Sequence, residues 1–454
     1  MPAVRPIRGA SVCDHSTLRL APSCHAEEVG FRRPTGQQRA TAVGMKFEDL
    51  ASASTFPAPL VLPGDDLSFD PQYPAQSLRS WAREKERNDV TLDRNVLYLV
   101  GPPEVGSDVG FVREWSLPRE EGKTDNSHLA RPRLQDISEY LAAFYHGMPI
   151  KSLPSKSLRF TEWEGAKGRK PKTKACYIGL NTLTESVRIR ARPSPDGVFQ
   201  SQLNLEDLLD TAIGMLPDDA YALMMLVEQD LYEDEDDDFC CGRAYGGSRV
   251  AVVSMARYNP NLDGRQNVER QHAWPASHCE SYVQGCCEHQ SNRSKKPSTK
   301  PSLQVDTTQH LVLSPSQPPA DVTPLHAAVV AHKVTTAPDF TGLWLSRVCQ
   351  TASHELGHCF GMDHCVYYAC VMQSTASLAE DVRQPPYLCP VDIAKVLRAT
   401  SADEVERYTA LLSFCEKHVQ NRMFAAFEAW LKTRIAHVGR SNSRVGSRGM
   451  PIEL

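Results

Sequence analysis

The stretch HELGHCFGMDHC at residues 354–365 limits what this chain can fold into more than any other part of its sequence. Apolar residues recur at helical intervals over residues 345–356, so a helix is predicted to run into this motif. Residues four positions apart share one face of a helix. His354 and His358 are therefore expected to present two imidazole nitrogens to a single metal ion.

The rest of the motif adds a base and a third ligand. Glu355 lies beside the first histidine but is angled away from direct ligation, as a general base for a metal-activated water must be. Gly361 can adopt the left-handed conformation that ends a helix, so the chain can turn back and bring His364 to the ion. Three imidazoles and one open position are typical of a catalytic zinc. Two histidines and a glutamate at this spacing also arise by chance in a buried helix, but Gly361 and His364 make that alternative the weaker one.

The residues that follow the motif give a family resemblance. The run HExxHxxGxxHC, then Cys370, Met372 and LCP at 388–390, resembles the archaemetzincins, a branch of the metzincin peptidases, and within them the fungal representatives. The resemblance implies a zinc peptidase that cleaves short peptides as an aminopeptidase, with Glu355 as general base and Met372 as the Met-turn residue. It implies these ligands of the catalytic zinc: His354, His358 and His364.

The same resemblance implies a second zinc site of four cysteines, the last two spaced as CxxC. The sequence supplies Cys365, Cys370 and Cys389, but Asp392 stands at the fourth position. A carboxylate can ligate zinc, although it matches zinc less well than a thiolate does. The set can therefore be a Cys3Asp site or three plain buried thiols. Two further cysteines are alternative ligands: Cys359 and Cys415.

Composition excludes several classes of protein. The 454 residues contain 50 Lys and Arg against 55 Asp and Glu, a net charge of -5, which argues against a nucleic-acid partner. No apolar run is long enough to span a bilayer, and the first 20 residues contain no secretory signal. The 14 cysteines are therefore expected in a reducing, intracellular compartment, the cytoplasm first and the nucleus second. A monomer that needs no cofactor besides zinc is expected.

The pattern of elements predicts an α/β (α+β) fold. A strand, a helix at 204–216 and a strand at 220–232 form a predicted β-α-β segment, followed by a strand at 249–258. With the resemblance, this implies a metzincin-like mixed twisted sheet, an active-site helix and a smaller helical C-terminal subdomain. The predicted boundaries are a disordered leader at 1–56, a peptidase domain at 57–436 with a surface insertion at 288–324, and a flexible tail at 437–454.

Three further expectations follow from local sequence. Translation starting at Met45 is an alternative, and removal of residues 1–44 is expected to leave metal binding and hydrolysis intact. The acidic run at 233–238 is interpreted as a solvated loop, with attraction of a substrate α-amine as the alternative. The strand at 249–258 is expected to be the sheet edge that pairs with substrate.

Other histidines and cysteines carry weaker signals. His272, His278 and Cys279, followed by cysteines at 286–287, fit no familiar zinc spacing and are interpreted as a loop. The rival to a peptidase is a non-catalytic zinc module for protein interaction. The presence of Glu355 favours catalysis, because a purely structural ion gains nothing from a base beside an open position.

Overall fold

A computed structural model describes residues 13, 15–44, 55–119, 129–154, 156, 158–163, 176–294, 310–312, 322–334 and 339–446. The strands are β1 Thr17–Arg19, β2 Val96–Val100, β3 Glu104–Val105, β4 Ile150–Ser152, β5 Arg159–Thr161, β6 Cys176–Asn181, β7 Ser186–Arg192, β8 Gln202–Asn204, β9 Ala220–Val227, β10 Asp230–Tyr232, β11 Gly242–Tyr245, β12 Val250–Ser254 and β13 His310–Val312. The helices are α1 Cys24–Glu28, α2 Gly36–Val43, α3 Asp66–Phe69, α4 Leu78–Trp81, α5 Leu134–Phe144, α6 Leu205–Gly214, α7 Glu280–Ser294, α8 Pro324–Val334, α9 Phe340–Cys359, α10 Leu378–Asp381, α11 Pro390–Thr400, α12 Glu404–Lys417 and α13 Arg422–Gly446. None of the described helices combines the length and the apolar character needed to cross a membrane.

A five-stranded sheet at the centre of the fold has the order β11-β12-β9-β2-β4. β12, β9, β2 and β4 run parallel, and β11 pairs antiparallel with β12 at one edge. Every residue of β9 is buried, because Met224 and Leu226 enter the larger hydrophobic core with α9 while Met225 and Val227 enter a second core with α6. A strand covered on both faces explains the continuous apolar run AYALMMLV. The α/β class is confirmed.

The predicted β-α-β segment is correct in its elements and wrong in its pairing. β7, α6 and β9 all form, but β7 belongs to a six-stranded sheet of order β10-β8-β7-β6-β5-β3, whereas β9 belongs to the five-stranded sheet. Sequence periodicity gives the type of an element, while its partners are decided by long-range packing. Helix α6 contributes Leu208 and Leu209 to the core that both sheets share.

Three contacts anchor helix α9 to the rest of the fold. Asp339 caps its N-terminus by accepting a 3.0 Å hydrogen bond from the backbone N of Gly342. Arg347 makes a buried 2.7 Å ion pair with Asp263. The hydroxyl of Tyr145 donates a 2.6 Å hydrogen bond to the carbonyl of Ser353, directly before the first histidine of the motif. These contacts determine where the histidines lie.

The predicted disordered leader is wrong for residues 15–44. They form β1, α1 and α2, and Ala40 and Ala42 are buried in the larger core. Arg33 donates hydrogen bonds to the carbonyl of Tyr367 at 3.0 Å and to that of Phe56 at 3.3 Å. The elements are too short to show helical periodicity in sequence, which is why pattern reasoning missed them. Residues 1–12, 14 and 45–54 lie outside the described residues.

The structure differs from the other predicted boundaries at both ends of the surface insertion and in the C-terminal tail. The start of the predicted insertion belongs to α7, which continues to Ser294, and His310–Val312 forms β13, paired antiparallel with β1. The remainder, 295–309 and 313–321, lies outside the described residues. Helix α13 extends to Gly446, so most of the predicted flexible tail is helical, and 447–454 are not described. The C-terminal helices are present as predicted, but they share the larger core with α9.

Candidate metal centres

The helix that carries the motif ends where the sequence predicts. α9 stops at Cys359, and Gly361 has a φ of 75°. The backbone N of Gly361 donates to the carbonyl of His358 at 2.9 Å, and that of Met362 donates to the carbonyl of Gly357 at 3.1 Å, which satisfies the last turn. The left-handed glycine then returns the chain toward the helix, so the region that contains His364 comes beside α9.

The three histidines of the motif form one group of potential ligands. Ligand atoms of His354, His358 and His364 all lie within 4.8 Å of one another, and the Nε2 atoms of the first two are 3.1 Å apart. The Nδ1 atom of His354 lies 2.7 Å from the carbonyl of Val371, and that of His358 lies 2.7 Å from the carbonyl of Met362. Because a carbonyl only accepts, Nδ1 donates in both rings and each Nε2 keeps its lone pair for a metal. The set fits a zinc ion.

Electrostatics favours neutral imidazoles in this group. Burial lowers the pKa of His354 well below its usual value, and the neighbouring histidine rings lower it further. Burial also lowers the pKa of His358 and lowers that of His364 to about 3. Neutral rings are the form that ligates metal.

Glu355 lies next to this group without joining it. Glu355 is only 8% exposed, and it lines the same cleft as the histidines. Burial raises the pKa of Glu355 to about 8, the nearby positive charge of Arg243 opposes that rise, and the charge of Asp381 adds to it. A carboxylate with so raised a pKa has enough proton affinity to serve as a base near neutral pH.

Met372 packs under the histidine-bearing helix. A β-carbon added to Gly357 would collide with the Met372 sulfur and would lie 2.9 Å from the Met362 terminal methyl. The carbonyl of Met372 accepts a 2.8 Å hydrogen bond from the backbone N of Cys365. This methionine therefore supports the turn between His358 and the cysteine cluster, and its role as the Met-turn residue stays a prediction.

A second group of potential ligands lies in the buried interior: Cys365, Cys370, Cys389 and Asp392. Oδ2 of Asp392 lies 3.3 Å from the sulfurs of both Cys370 and Cys389, and the sulfurs of Cys365 and Cys389 are 3.5 Å apart. The structure thus brings the aspartate to the place of the expected fourth cysteine. The alternative ligands Cys359 and Cys415 are not part of this group.

The aspartate of this group also forms an ion pair with a buried lysine. Nζ of Lys395 lies 2.8 Å from Oδ1 of Asp392 and 2.8 Å from Oε1 of Gln76, and all three groups are buried. Lys395 can therefore balance part of the negative charge of three thiolates and a carboxylate. The donor set fits zinc with the aspartate as a single-oxygen ligand.

The histidine group opens into a cleft of about 1110 Å³. The predicted solvated acidic loop contributes to its lining, with Glu233 and the aspartates at 236–238. Arg192 donates hydrogen bonds to the carbonyls of Asp234 and Glu235 and so holds that loop in place. The acidic side chains therefore share one cleft with the candidate zinc ligands.

The sheet edge beside the cleft is β11. The expected edge strand, β12, lies between β11 and β9 and has no open side. β11 was missed because its sequence, GRAY, is too short to give a strand pattern. Gly242, Arg243 and Ala244 of β11 line the cleft, so the outer side of this strand is the one available for pairing.

Comparisons with known proteins agree with this geometry. Residues 322–398, which include every residue of both groups, match the model of peptidase family M54. The chain is 24% identical to mouse archaemetzincin-2 over 280 residues, and 23% identical to the human protein of that name. Over residues 322–398 the chain carries the pattern of peptidase family M54, and it is similar to the archaemetzincins. The likeness to fungal archaemetzincins stays a prediction.

The match to the archaemetzincins is partial in length. It covers 62% of this chain and 57% of the mouse and human relatives, little more than half of their length. Among solved structures, the archaemetzincin of Methanopyrus kandleri is 18% identical, with a TM-score of 0.32, and covers 68% of this chain and 98% of its own. A zinc-dependent peptidase from Methanocorpusculum labreanum is 15% identical, with a TM-score of 0.30, covering 66% of this chain and 99% of its own. Scores this low establish no residue correspondence.

Two residues of this cleft had no signal in the sequence. Arg243 on β11 pairs with Glu233 and places its charge near Glu355. Asp381 also lines the cleft, and loss of solvent contact raises its pKa to about 7 against the opposing charge of Arg347. Both are single charged residues, and their place in the cleft depends on residues that are distant in sequence.

The interpretation of residues 272–287 as a loop is wrong from Ala276 onward. Ala276–His278 forms a 3₁₀ helix and residues 280–294 form α7. His278 is buried, with Nε2 lying 3.2 Å from the carbonyl of Ala58, and it belongs to none of the described groups of potential ligands. His272 and Cys279 do belong to a group, together with Cys13.

Proposed function

We propose that the protein is a zinc-dependent metallopeptidase with aminopeptidase-like action on short peptides. The observation that carries the proposal is the group of three imidazoles, two of them with Nε2 atoms 3.1 Å apart, beside the buried carboxylate of Glu355, in an open cleft. The match of residues 322–398 to peptidase family M54 supports the same function. Zinc held by His354, His358 and His364 would supply Lewis acidity, which would lower the pKa of a water molecule and polarise a peptide carbonyl.

Glu355 is proposed to move the proton. Its carboxylate accepts a proton from the attacking water and delivers it to the nitrogen of the departing amine, so that the amine leaves as a neutral group. The raised pKa suits both steps, because the group must first gain the proton and then lose it. Arg243 lies near enough to limit how far that pKa rises.

Substrate binding is assigned to the outer side of β11. An extended peptide that adds to a sheet edge satisfies its own backbone groups and those of the strand. β11 occupies the edge position in the five-stranded sheet and lines the cleft. A peptide paired there would lie along the cleft that holds Glu355.

The acidic loop is proposed to attract the α-amine of the substrate. Asp236 and Asp238 are exposed and line the cleft, where their field favours a cation. Asp237 has a structural contact, since its Oδ2 accepts a 2.9 Å hydrogen bond from the backbone N of Asp234. A free N-terminus would therefore be held near the metal, which limits cleavage to the first bonds of a peptide.

The first experiment tests zinc dependence. Purified protein is stripped with a chelator and assayed on a library of short peptides, before and after one equivalent of Zn²⁺ is restored. Hydrolysis should disappear and return with the metal. A protein that binds zinc through the three histidines but cleaves no peptide under any condition would favour the non-catalytic zinc module.

The second experiment tests the aminopeptidase assignment. Hydrolysis of a free peptide is compared with that of its N-acetylated form, in wild type and in the double variant Asp236→Asn, Asp238→Asn. Asp210→Asn with Asp218→Asn is the matched control, because both residues are exposed and lie outside the cleft lining. The acidic-loop variant should raise KM for the free peptide, most strongly at low salt, and equal cleavage of the acetylated peptide would refute the assignment.

We also propose that the cysteine cluster binds a second, structural zinc as a Cys3Asp site. The convergence of four buried donors on one point supports it. Monomeric state and an intracellular location stay predictions.

A further inference from the structure

A third group of potential metal ligands lies outside the cleft, where residues 13–19 meet the start of α7. Sγ of Cys13 lies 3.2 Å from Sγ of Cys279, and a ligand atom of His272 lies within 4.8 Å of both sulfurs. The backbone joins the same two segments, because Leu18 forms a β-bridge with Cys279. Arg19 adds a 2.6 Å ion pair with Glu280.

His272 is oriented as a metal-bound imidazole would be. Its Nδ1 lies 2.8 Å from Oε1 of Glu269, and its ring stacks on Tyr282 with centroids 4.1 Å apart. Nδ1 therefore donates to the carboxylate, and Nε2 is the nitrogen available to the two sulfurs. This Nε2 is fully buried and makes no hydrogen bond of standard geometry with any residue that the structure describes. The His272 side chain as a whole is 9% exposed.

The two sulfurs are placed for ligation. Their 3.2 Å separation is far longer than a disulfide bond of about 2.05 Å, and it is similar to the 3.5 Å between Cys365 and Cys389 in the cysteine cluster. Oγ of Ser281 lies 3.2 Å from the sulfur of Cys13 and 3.3 Å from that of Cys279, where its hydroxyl can donate to a thiolate. Burial raises the pKa of Cys13, but hydrogen bonding, that of Ser281 first, outweighs it and lowers this pKa to about 7.

We propose that Cys13, His272 and Cys279 bind a zinc ion that clamps the N-terminal segment onto the start of α7. Two thiolates and one imidazole are a donor set that zinc prefers, and a carboxylate behind the imidazole is its usual support. The clamp is independent of the cleft and of the proposed peptidase activity. It gives the N-terminal segment, whose own elements are short, a metal cross-link to the rest of the fold.

The test compares metal content in the full-length protein under reducing, oxygen-free conditions. Cys279→Ser and His272→Phe remove one ligand each, and the phenylalanine keeps the stacking on Tyr282. Cys286→Ser is the matched control, since Cys286 lies on the same helix but packs with Leu60 and Leu62 outside the group. Each ligand variant should bind one zinc fewer than wild type by mass spectrometry of the metal and should melt at a lower temperature, whereas the control should do neither.

Cysteine labelling then assigns the lost ion to this site. Iodoacetamide should modify Cys13 and Cys279 only after a chelator is added, as read from peptide masses, with Cys286 labelled equally before and after. The proposal is overturned if zinc content is the same in wild type and both ligand variants, if Cys13 and Cys279 are labelled equally with and without chelator, or if a peptide pair joined by a Cys13–Cys279 disulfide is recovered from the native protein. The labelling pattern needs no peptidase activity, so the clamp and the proposed function fail separately.

Discussion

Two histidines of the candidate zinc group, His354 and His358, are each oriented by a backbone carbonyl. The carbonyls of Val371 and Met362 accept from Nδ1 of His354 and His358, which settles the tautomer of both rings. Met362 lies in the turn that delivers His364, and Val371 lies next to Met372, so the segment after the helix also orients the other two imidazoles. Glu355, one residue after His354, has no such partner among the described hydrogen bonds, and it lines the cleft.

The first prediction separates the base from the ligands. Glu355→Gln should keep the metal and lower kcat by a factor of about 10² to 10⁴, the usual contribution of a general base. His358→Ala should lose both metal and turnover. Metal analysis beside peptide hydrolysis checks this, and a glutamine variant with wild-type kcat would rule out the mechanism.

The second prediction concerns the cysteine cluster. Cys370→Ser should bind one zinc fewer and melt at a lower temperature, because metal binding contributes directly to folding free energy. Cys415→Ser is the control, since that cysteine is equally buried but lies outside the group. Both changes bury a hydroxyl, so a lower melting temperature alone decides nothing. Unchanged zinc content in Cys370→Ser would mean that Asp392 and Lys395 form a plain buried ion pair.

At the scale of single elements, the end of α9 decides whether the third histidine can reach the metal. Gly361 combines a φ of 75° with close packing, since an added β-carbon would lie 2.5 Å from Cγ of Arg87. An alanine there meets both a conformational cost and a collision. The helix end is therefore part of the proposed metal centre.

The third prediction follows from that turn. Gly361→Ala should destabilise the fold by about 1–2 kcal/mol from backbone conformation alone and should weaken zinc binding by displacing His364. Gly264→Ala is the control, because that position has open space around it and no left-handed φ. Chemical denaturation and zinc titration measure the two effects. Equal behaviour of the two variants would show that the turn does not position the ligand.

At the scale of the whole molecule, segments far apart in sequence meet around the cysteine cluster. Arg33 donates to the carbonyls of Leu20, Phe56 and Tyr367, which joins the N-terminal segment to the loop between Cys365 and Cys370. The contacts of the described residues 15–44 therefore argue against the expectation that residues 1–44 are dispensable. Their removal should expose the core that Ala40 and Ala42 help to cover.

The fourth prediction tests this connection with a single residue. Arg33→Ala should lower the free energy of unfolding by about 2 kcal/mol, because three carbonyls lose a charged donor. The neighbouring exposed residue gives the control, Arg32→Ala, which should change it by less than about 0.5 kcal/mol. Urea denaturation of both variants is the measurement. A similar loss of stability in the two would mean that the N-terminal segment is only loosely attached.

The sequence by itself determined the local chemistry of this protein. The spacing of His354, Glu355 and His358, the glycine that ends the helix and the return of His364 all follow from helix geometry, which acts over a few residues. The sequence also predicted the type of most long helices and strands, because that too depends on patterns over a few residues. Tertiary structure decided which sheet receives β7, which strand forms the open edge, and that the acidic loop and Arg243 face the cleft. It also brought Asp392 to the sulfurs and Cys13 to Cys279, across 266 positions of sequence. These long-range contacts depend on how whole helices and strands pack. Burial of apolar surface stabilises any compatible pair of surfaces, so the residues that come into contact show no periodic pattern in the sequence.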